Sequence, residues 1–150
     1  MKSFPIYAVL VCIMIGNSSA FRKVAENPDA IIGIWLVQDS LSKVKIEKEN
    51  GKFIGKIVWL REPTAKNGKP KVDTKNPDVA MQGRPLLGLQ LLTNFVFDSD
   101  NVWNDGDIYD PHSGKTYSCK ITLKDNNVVE IRGYVGISLF GRTEIWKRCL

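Results

Sequence analysis

From Gly33 onward, apolar and polar residues alternate with a period of two, and turn signals interrupt the alternation at short intervals. Val44 and Ile46 alternate with Lys43, Lys45 and Glu47 before Asn50-Gly51 turns the chain, a strong hairpin signal. Lys52 to Leu60 returns as a strand with apolar residues on both faces, which implies cover on both sides. Leu89 to Phe97 and Val102 to Tyr109 make the next pair. Tyr117, Cys119, Ile121 and Leu123 line one face of a further strand, which Asp125-Asn126-Asn127 turns into Val128 to Val135. Arg142 to Arg148 is the last strand, and Gly33-Ile34-Trp35 opens the first. Eight meandering antiparallel strands in a chain of this length close into a small β-barrel, which removes exposed edges. A two-sheet sandwich is the alternative.

The exception to the pattern is a long connection, residues 61–88, rich in Pro, Gly and Lys. Loops of this length in compact domains are functional or disordered. Within it, Asn76-Pro77-Asp78 offers a cap and a proline at the first helical position, so Val79 to Gln82 is expected to form one helical turn. A second cap of the same type, Asn27-Pro28-Asp29, predicts a short helical turn just before the first strand.

Residues 1–20 read as a signal peptide rather than as part of the domain at 21–150. Met1-Lys2 precedes an apolar run from Phe4 to Gly16, and Ser18 and Ala20 occupy the small-residue positions of a cleavage site. The run is shorter than the ~20 residues needed to cross a bilayer, so no transmembrane segment is expected after its removal. Export to the periplasm follows from this reading. The net charge of +5 is mild and its lysines and arginines are dispersed, so nucleic acid is not an expected partner. Cys119 and Cys149 stand on strands that a meander separates by one other, so free thiols are expected.

Gly33-x-Trp35 beside a short helical turn, with an arginine on the last strand, resembles the calycin pattern of lipocalins, fatty-acid-binding proteins and avidins. The resemblance implies that Trp35 plugs the barrel floor and that Arg148 or Arg142 lies across its ring, a cation–π contact. A second resemblance covers Ile32 to Arg148. Gly55-Lys-Ile-Val-Trp-Leu60, Asp73-Thr-Lys-Asn-Pro-Asp78, Arg84-Pro-Leu-Leu-Gly88, Gly106-Asp-Ile-Tyr-Asp-Pro111 and Arg132-Gly-Tyr-Val-Gly136 are similar to the bacterial family called domain of unknown function 2147. That resemblance supplies a fold and an export leader, and no activity.

Hydrolytic chemistry finds little support. His112, the single histidine, sits in a turn, and neither Ser113 nor Ser138 has a positioned base. Cys119 shares an apolar face with Tyr117 and Ile121, a core setting rather than a reactive one. The acidic residues Asp98, Asp100, Asp105, Asp107 and Asp110 lack the ordered spacing of a calcium loop, so no metal or other cofactor is expected. In the long loop, Asp73 pairing with Arg84 would pin the loop over one barrel end, with Asn76 and Asp78 capping the helical turn; the same group as a substrate site is the rival reading.

The last strand carries the binding expectation. Alternation puts Arg142, Glu144, Trp146 and Arg148 on one face. If that face is inward, Glu144 satisfies one arginine and the other is free for a carboxylate or phosphate. Trp35 completes this candidate site. The expected function is therefore non-catalytic binding of a small amphipathic or anionic molecule in the barrel. The alternative is an envelope protein-interaction or structural module whose barrel its own side chains fill; there Arg148 only covers Trp35 and Arg142 only pairs with Glu144. Cleavage after Ala20 is testable: intact-mass measurement on material from the envelope fraction should return residues 21–150, and a mass retaining the leader refutes it.

Overall fold

The structure is a computed structural model that describes residues 26–137 and 139–149; the expected leader and its cleavage site lie outside the described residues. Asn27 accepts the N–H of Asp29 at 3.0 Å and Pro28 presets the backbone, so a 3-10 turn forms at Pro28–Ile31. Eight strands follow: β1 (Gly33–Leu36), β2 (Ser42–Glu49), β3 (Lys52–Leu60), β4 (Gln90–Phe97), β5 (Val102–Asp110), β6 (Lys115–Asp125), β7 (Val128–Tyr134) and β8 (Gly141–Arg148). Each pairs antiparallel with the next and β8 returns to β1, so the sheet is a closed barrel. The turns follow local chemistry. Asn50 and Gly51 both take positive φ (51° and 77°), as the tightest hairpins require. Asp125 accepts the N–H of Asn127 at 2.7 Å in the β6–β7 turn.

The barrel has two unlike ends. At one lie the β2–β3, β4–β5 and β6–β7 hairpins, and the 3-10 turn corks it. Two indoles hold the cork: Trp35 Nε1 donates to Ile31 O at 2.9 Å, and Trp103 Nε1 donates to Pro28 O at 3.0 Å. Above them the inward residues Val44, Ile46, Phe53, Leu92, Phe95, Cys119, Ile121, Val129 and Ile131 pack this half solid. Gly106 is part of that packing, because a Cβ there would lie 2.4 Å from the Phe95 ring. Double cover of β3 holds for its first half only. Ile54 is buried, but Val58 and Trp59 lie on the surface, where Lys43 Nζ stands 5.2 Å from the Trp59 ring.

The seam between β1 and β8 is short, with register pairs Trp35↔Arg148 and Leu36↔Lys147. Side chains reinforce it. The Arg148 guanidinium lies 4.2 Å from the centroid of the Trp35 ring and donates to Ala30 O at 2.7 Å, Ile32 O at 2.8 Å and Asn126 O at 2.6 Å. Gly33 is what lets the arginine in: a Cβ there would stand 2.5 Å from Arg148 Nη1, and its φ of +148° suits only glycine.

At the opposite end lie the β1–β2, β5–β6 and β7–β8 turns and the long connection 61–88. The connection carries a 3-10 turn at Val79–Met81, capped by Asp78, whose side chain accepts from Ala80 N. It is pinned through Asp73, which is fully buried. Tyr109 Oη donates to Asp73 Oδ1 at 2.7 Å, while Oδ2 accepts from Asn76 Nδ2 at 2.9 Å and from Arg84 Nε at 3.0 Å. Asn76 in turn accepts the N–H of Asp78 at 2.9 Å. Burial pushes the Asp73 carboxyl up, but the hydrogen bonds from Asn76, Tyr109 and Arg84 and the Arg84 charge outweigh it and hold it below the usual value.

Two stability tests follow from these anchors. Trp35→Ala should cost ~3–5 kcal/mol in denaturant melts, as large core truncations do; a loss under ~1 kcal/mol contradicts the cork. Asp73→Asn keeps the shape but removes the charge, and should cost ~1–3 kcal/mol at neutral pH. Because the folded carboxyl sits below the unfolded value of ~3.9, its contribution is complete above that value and is lost as pH falls through the folded one. The wild-type advantage over Asp73→Asn should therefore shrink in melts below pH ~4, and an advantage unchanged by pH refutes the latch.

Candidate functional site: the open half of the barrel

The packing that fills the corked half stops at Trp146 and Ile131, and space opens above them. It has two lobes. One, of about 400 Å³, is lined by Ile108, Tyr117, Ile131, Tyr134 and Phe140 with Glu144. The other, of about 380 Å³, lies over Ile57, Leu60, Leu86, Leu91 and Trp146. Ile108, Asp110 and Glu144 border both, so the lobes meet along the inner face of β5 and β8. Each volume lies in the range that takes a small molecule, ~300–1,000 Å³.

A missing side chain helps to make the first lobe. Gly133 follows Ile131 on the inward face of β7, and a Cβ there would meet only Ile108 at 3.4 Å and Tyr117 at 3.6 Å. A glycine inside a strand often marks such room for a ligand.

The alternating residues of β8 share a face but not a depth. Trp146 is the buried floor, at 1% exposure. Its Nε1 donates to Glu144 Oε2 at 3.1 Å, which holds the carboxylate one layer higher. Arg142 stands at the rim with its side chain 85% exposed, its Nη2 3.5 Å from Glu144 Oε1. Arg148 lies at the other end of the barrel with Trp35, and neither borders the cavity. The five residues expected to form one site are thus divided: Arg142, Glu144 and Trp146 at the cavity, Trp35 and Arg148 at the cork. The inward arginine expected to be free for an acid group is absent from this arrangement. Arg148 spends its donors on three carbonyls, and Arg142 is a solvated rim residue beside Glu144.

Asp73, Asn76 and Arg84 come together in the loop latch, with Tyr109 as a fourth member; Asp78 caps the neighbouring turn instead. Both Asp73 oxygens already accept hydrogen bonds, which leaves the group little to offer a substrate. Burial first, then the charges of Asp107 and Glu144, push the Cys119 thiol up to about 12, so it stays protonated and inert near neutral pH. Cys119 and Cys149 are free thiols.

Sequence reasoning passed over Tyr117, Tyr134 and Asp110 as cavity residues. Tyr117 was the most legible, standing at the open end of the Cys119–Leu123 face. Asp110 was not, because it also serves its own turn, accepting from His112 N at 2.9 Å and Ser113 Oγ at 2.7 Å.

The geometry agrees with comparisons to known proteins. A protein of the human pathogen Helicobacter pylori, described as belonging to the lipocalin family, superposes with a TM-score of 0.71 at 25% identity, covering 85% of each chain. No curated protein matches the chain in sequence. Residues 33–148, nearly the whole barrel, match the family model described as an uncharacterized protein conserved in bacteria (DUF2147). The chain is a lipocalin-like barrel and belongs to that bacterial family.

Proposed function

We propose that this is an exported, non-catalytic protein that holds a small amphipathic molecule in the open half of its barrel. The observation that carries the reading is the contrast between the halves. One is packed solid around Trp35 and Trp103, whereas the other keeps a mostly apolar cavity bordered in both lobes by the carboxylates of Asp110 and Glu144. A mostly apolar concavity with a few placed polar groups is the usual form of a small-molecule site. The groups with the most chemical potential, Asp73 and Cys119, serve the latch and the core, which supports binding over catalysis.

A protein-interaction role is the second reading, and one feature favours it. Val135, Ile137, Leu139 and Phe140 at the β7–β8 turn are all exposed, an apolar lip beside the cavity mouth. In the binding reading the lip extends the apolar wall, since Val135 and Phe140 also line the first lobe.

Ile108→Trp separates the two, because Ile108 stands where the lobes meet. Titration with the uncharged apolar dye Nile red should show saturable binding to the native protein. That binding should weaken at least ~10-fold in Ile108→Trp, with the strand circular-dichroism signal retained. Dye binding that survives this substitution but is lost in Leu139→Ser/Phe140→Ser places the apolar contact on the lip and refutes a cavity ligand.

A further inference from the structure

We infer that the molecule held in this cavity is an organic cation, an ammonium head on an apolar body, with Glu144 as its counter-ion. The inference rests on the binding reading above and adds the sign of the ligand's charge. It reverses the expectation of an anionic ligand.

The first ground is the charge that lines the space. Asp39, Glu62, Asp110 and Glu144 border the two lobes, against Lys71 and Arg142. Both cations are already paired with a carboxylate. Lys71 Nζ lies 3.1 Å from Glu62 Oε2 in the loop, and Arg142 is the rim residue whose Nη2 is 3.5 Å from Glu144 Oε1. The two charged residues common to both lobes are Asp110 and Glu144, both acidic. An anionic head in this space meets like charge in a partly enclosed setting, which is costly, whereas a cation finds its complement.

The second ground is how Glu144 is held. The Trp146 indole donates to one carboxylate oxygen from below, at 3.1 Å. The other oxygen has the longer, solvated contact with Arg142 as its charged partner, and such exposed pairs contribute little. A ligand ammonium can therefore displace the Arg142 side chain to solvent at small cost. It would gain a charge-assisted hydrogen bond, or a close ion pair if it is quaternary.

The third ground is the aromatic wall. Tyr117, Tyr134 and Phe140 line the same lobe as Glu144. Ring faces beside a carboxylate suit an ammonium group, to which cation–π attraction adds. Bulk attraction is not the source of this preference, since the chain as a whole carries +5. Selection has to come from the cavity itself.

Three probes of equal chain length test this by calorimetric titration below their micelle concentrations: decyltrimethylammonium, decyl maltoside and decanoate. The native protein should bind the ammonium probe at least ~10-fold more tightly than decanoate, equivalent to ~1.4 kcal/mol. Glu144→Gln keeps an acceptor for the Trp146 indole but removes the charge, and should bring the ammonium-to-decanoate ratio to within about twofold of one. Arg142→Gln removes the competing cation and should raise the ratio. Decanoate binding as tightly as the ammonium probe, or a ratio that survives Glu144→Gln, overturns the inference while decyl maltoside binding still upholds a cavity ligand. Binding of none of the three overturns both.

Discussion

The closure of this barrel depends on the stack of Arg148 on Trp35. The β1–β8 seam is the weakest in the sheet, since β1 has four residues and only two register pairs join it to β8. Arg148 compensates by tying the lead-in to β1 and the β6–β7 turn to the last strand through three carbonyls while covering the indole. Hydrogen bonds from a charged donor contribute ~1.5–3 kcal/mol each, and a cation–π contact at a half-exposed site ~0.5–2 kcal/mol. Gly33 completes the arrangement, because any side chain at that position would occupy the space of the guanidinium.

Closing one end so firmly permits the other to stay open. The indoles of Trp35 and Trp103 anchor the 3-10 turn across the corked end, and the core is continuous from there to Trp146. Beyond Trp146 the inward positions are Gly133, Ile108, Tyr117 and Glu144, which do not fill the bore. The Asp73 latch keeps the long connection in place beside that opening. Gly114 shares in this, since the Lys75 carbonyl approaches it so closely that a Cβ would clash. The Tyr109 hydroxyl is raised above its usual value by burial and by the Asp73 charge, so it remains the donor the latch needs.

The two halves also differ in how they treat polar groups. At the cork, each indole N–H and the Arg148 guanidinium meet backbone carbonyls, so the polarity there is satisfied internally. In the open half, Glu144 borders the cavity, and its one charged partner among the described residues is the rim residue Arg142. An inward carboxylate without a dedicated internal cation is tolerated where water or a ligand solvates it. That difference separates the closed end of the barrel from the open one.

Much of the fold was legible in the chain because strand alternation and turn chemistry are local. Asn50-Gly51, Asp125-Asn126-Asn127 and the Asn27-Pro28-Asp29 cap each act over a few residues and are used as expected; at Asn76-Pro77-Asp78 the cap of the turn stands two residues later than expected, at Asp78 rather than Asn76. The face of each β8 residue was legible too: Trp146 and Glu144 do point inward. What alternation cannot encode is height along the barrel axis, which strand stagger and closure decide. For that reason Arg142 and Arg148, six residues apart on one face, end at the rim and at the cork rather than in one site. The exposure of Val58 and Trp59 has a pairing origin as well: Lys43 pairs with Trp59 but Val44 with Ile57, and the bulge leaves two successive β3 residues on the surface. The sign of the cavity's charge lay furthest from the sequence. Asp39 and Glu62 come from two separate connections, Asp110 from the end of β5 and Glu144 from the middle of β8. Within a basic chain, only their convergence around one opening makes an acidic site.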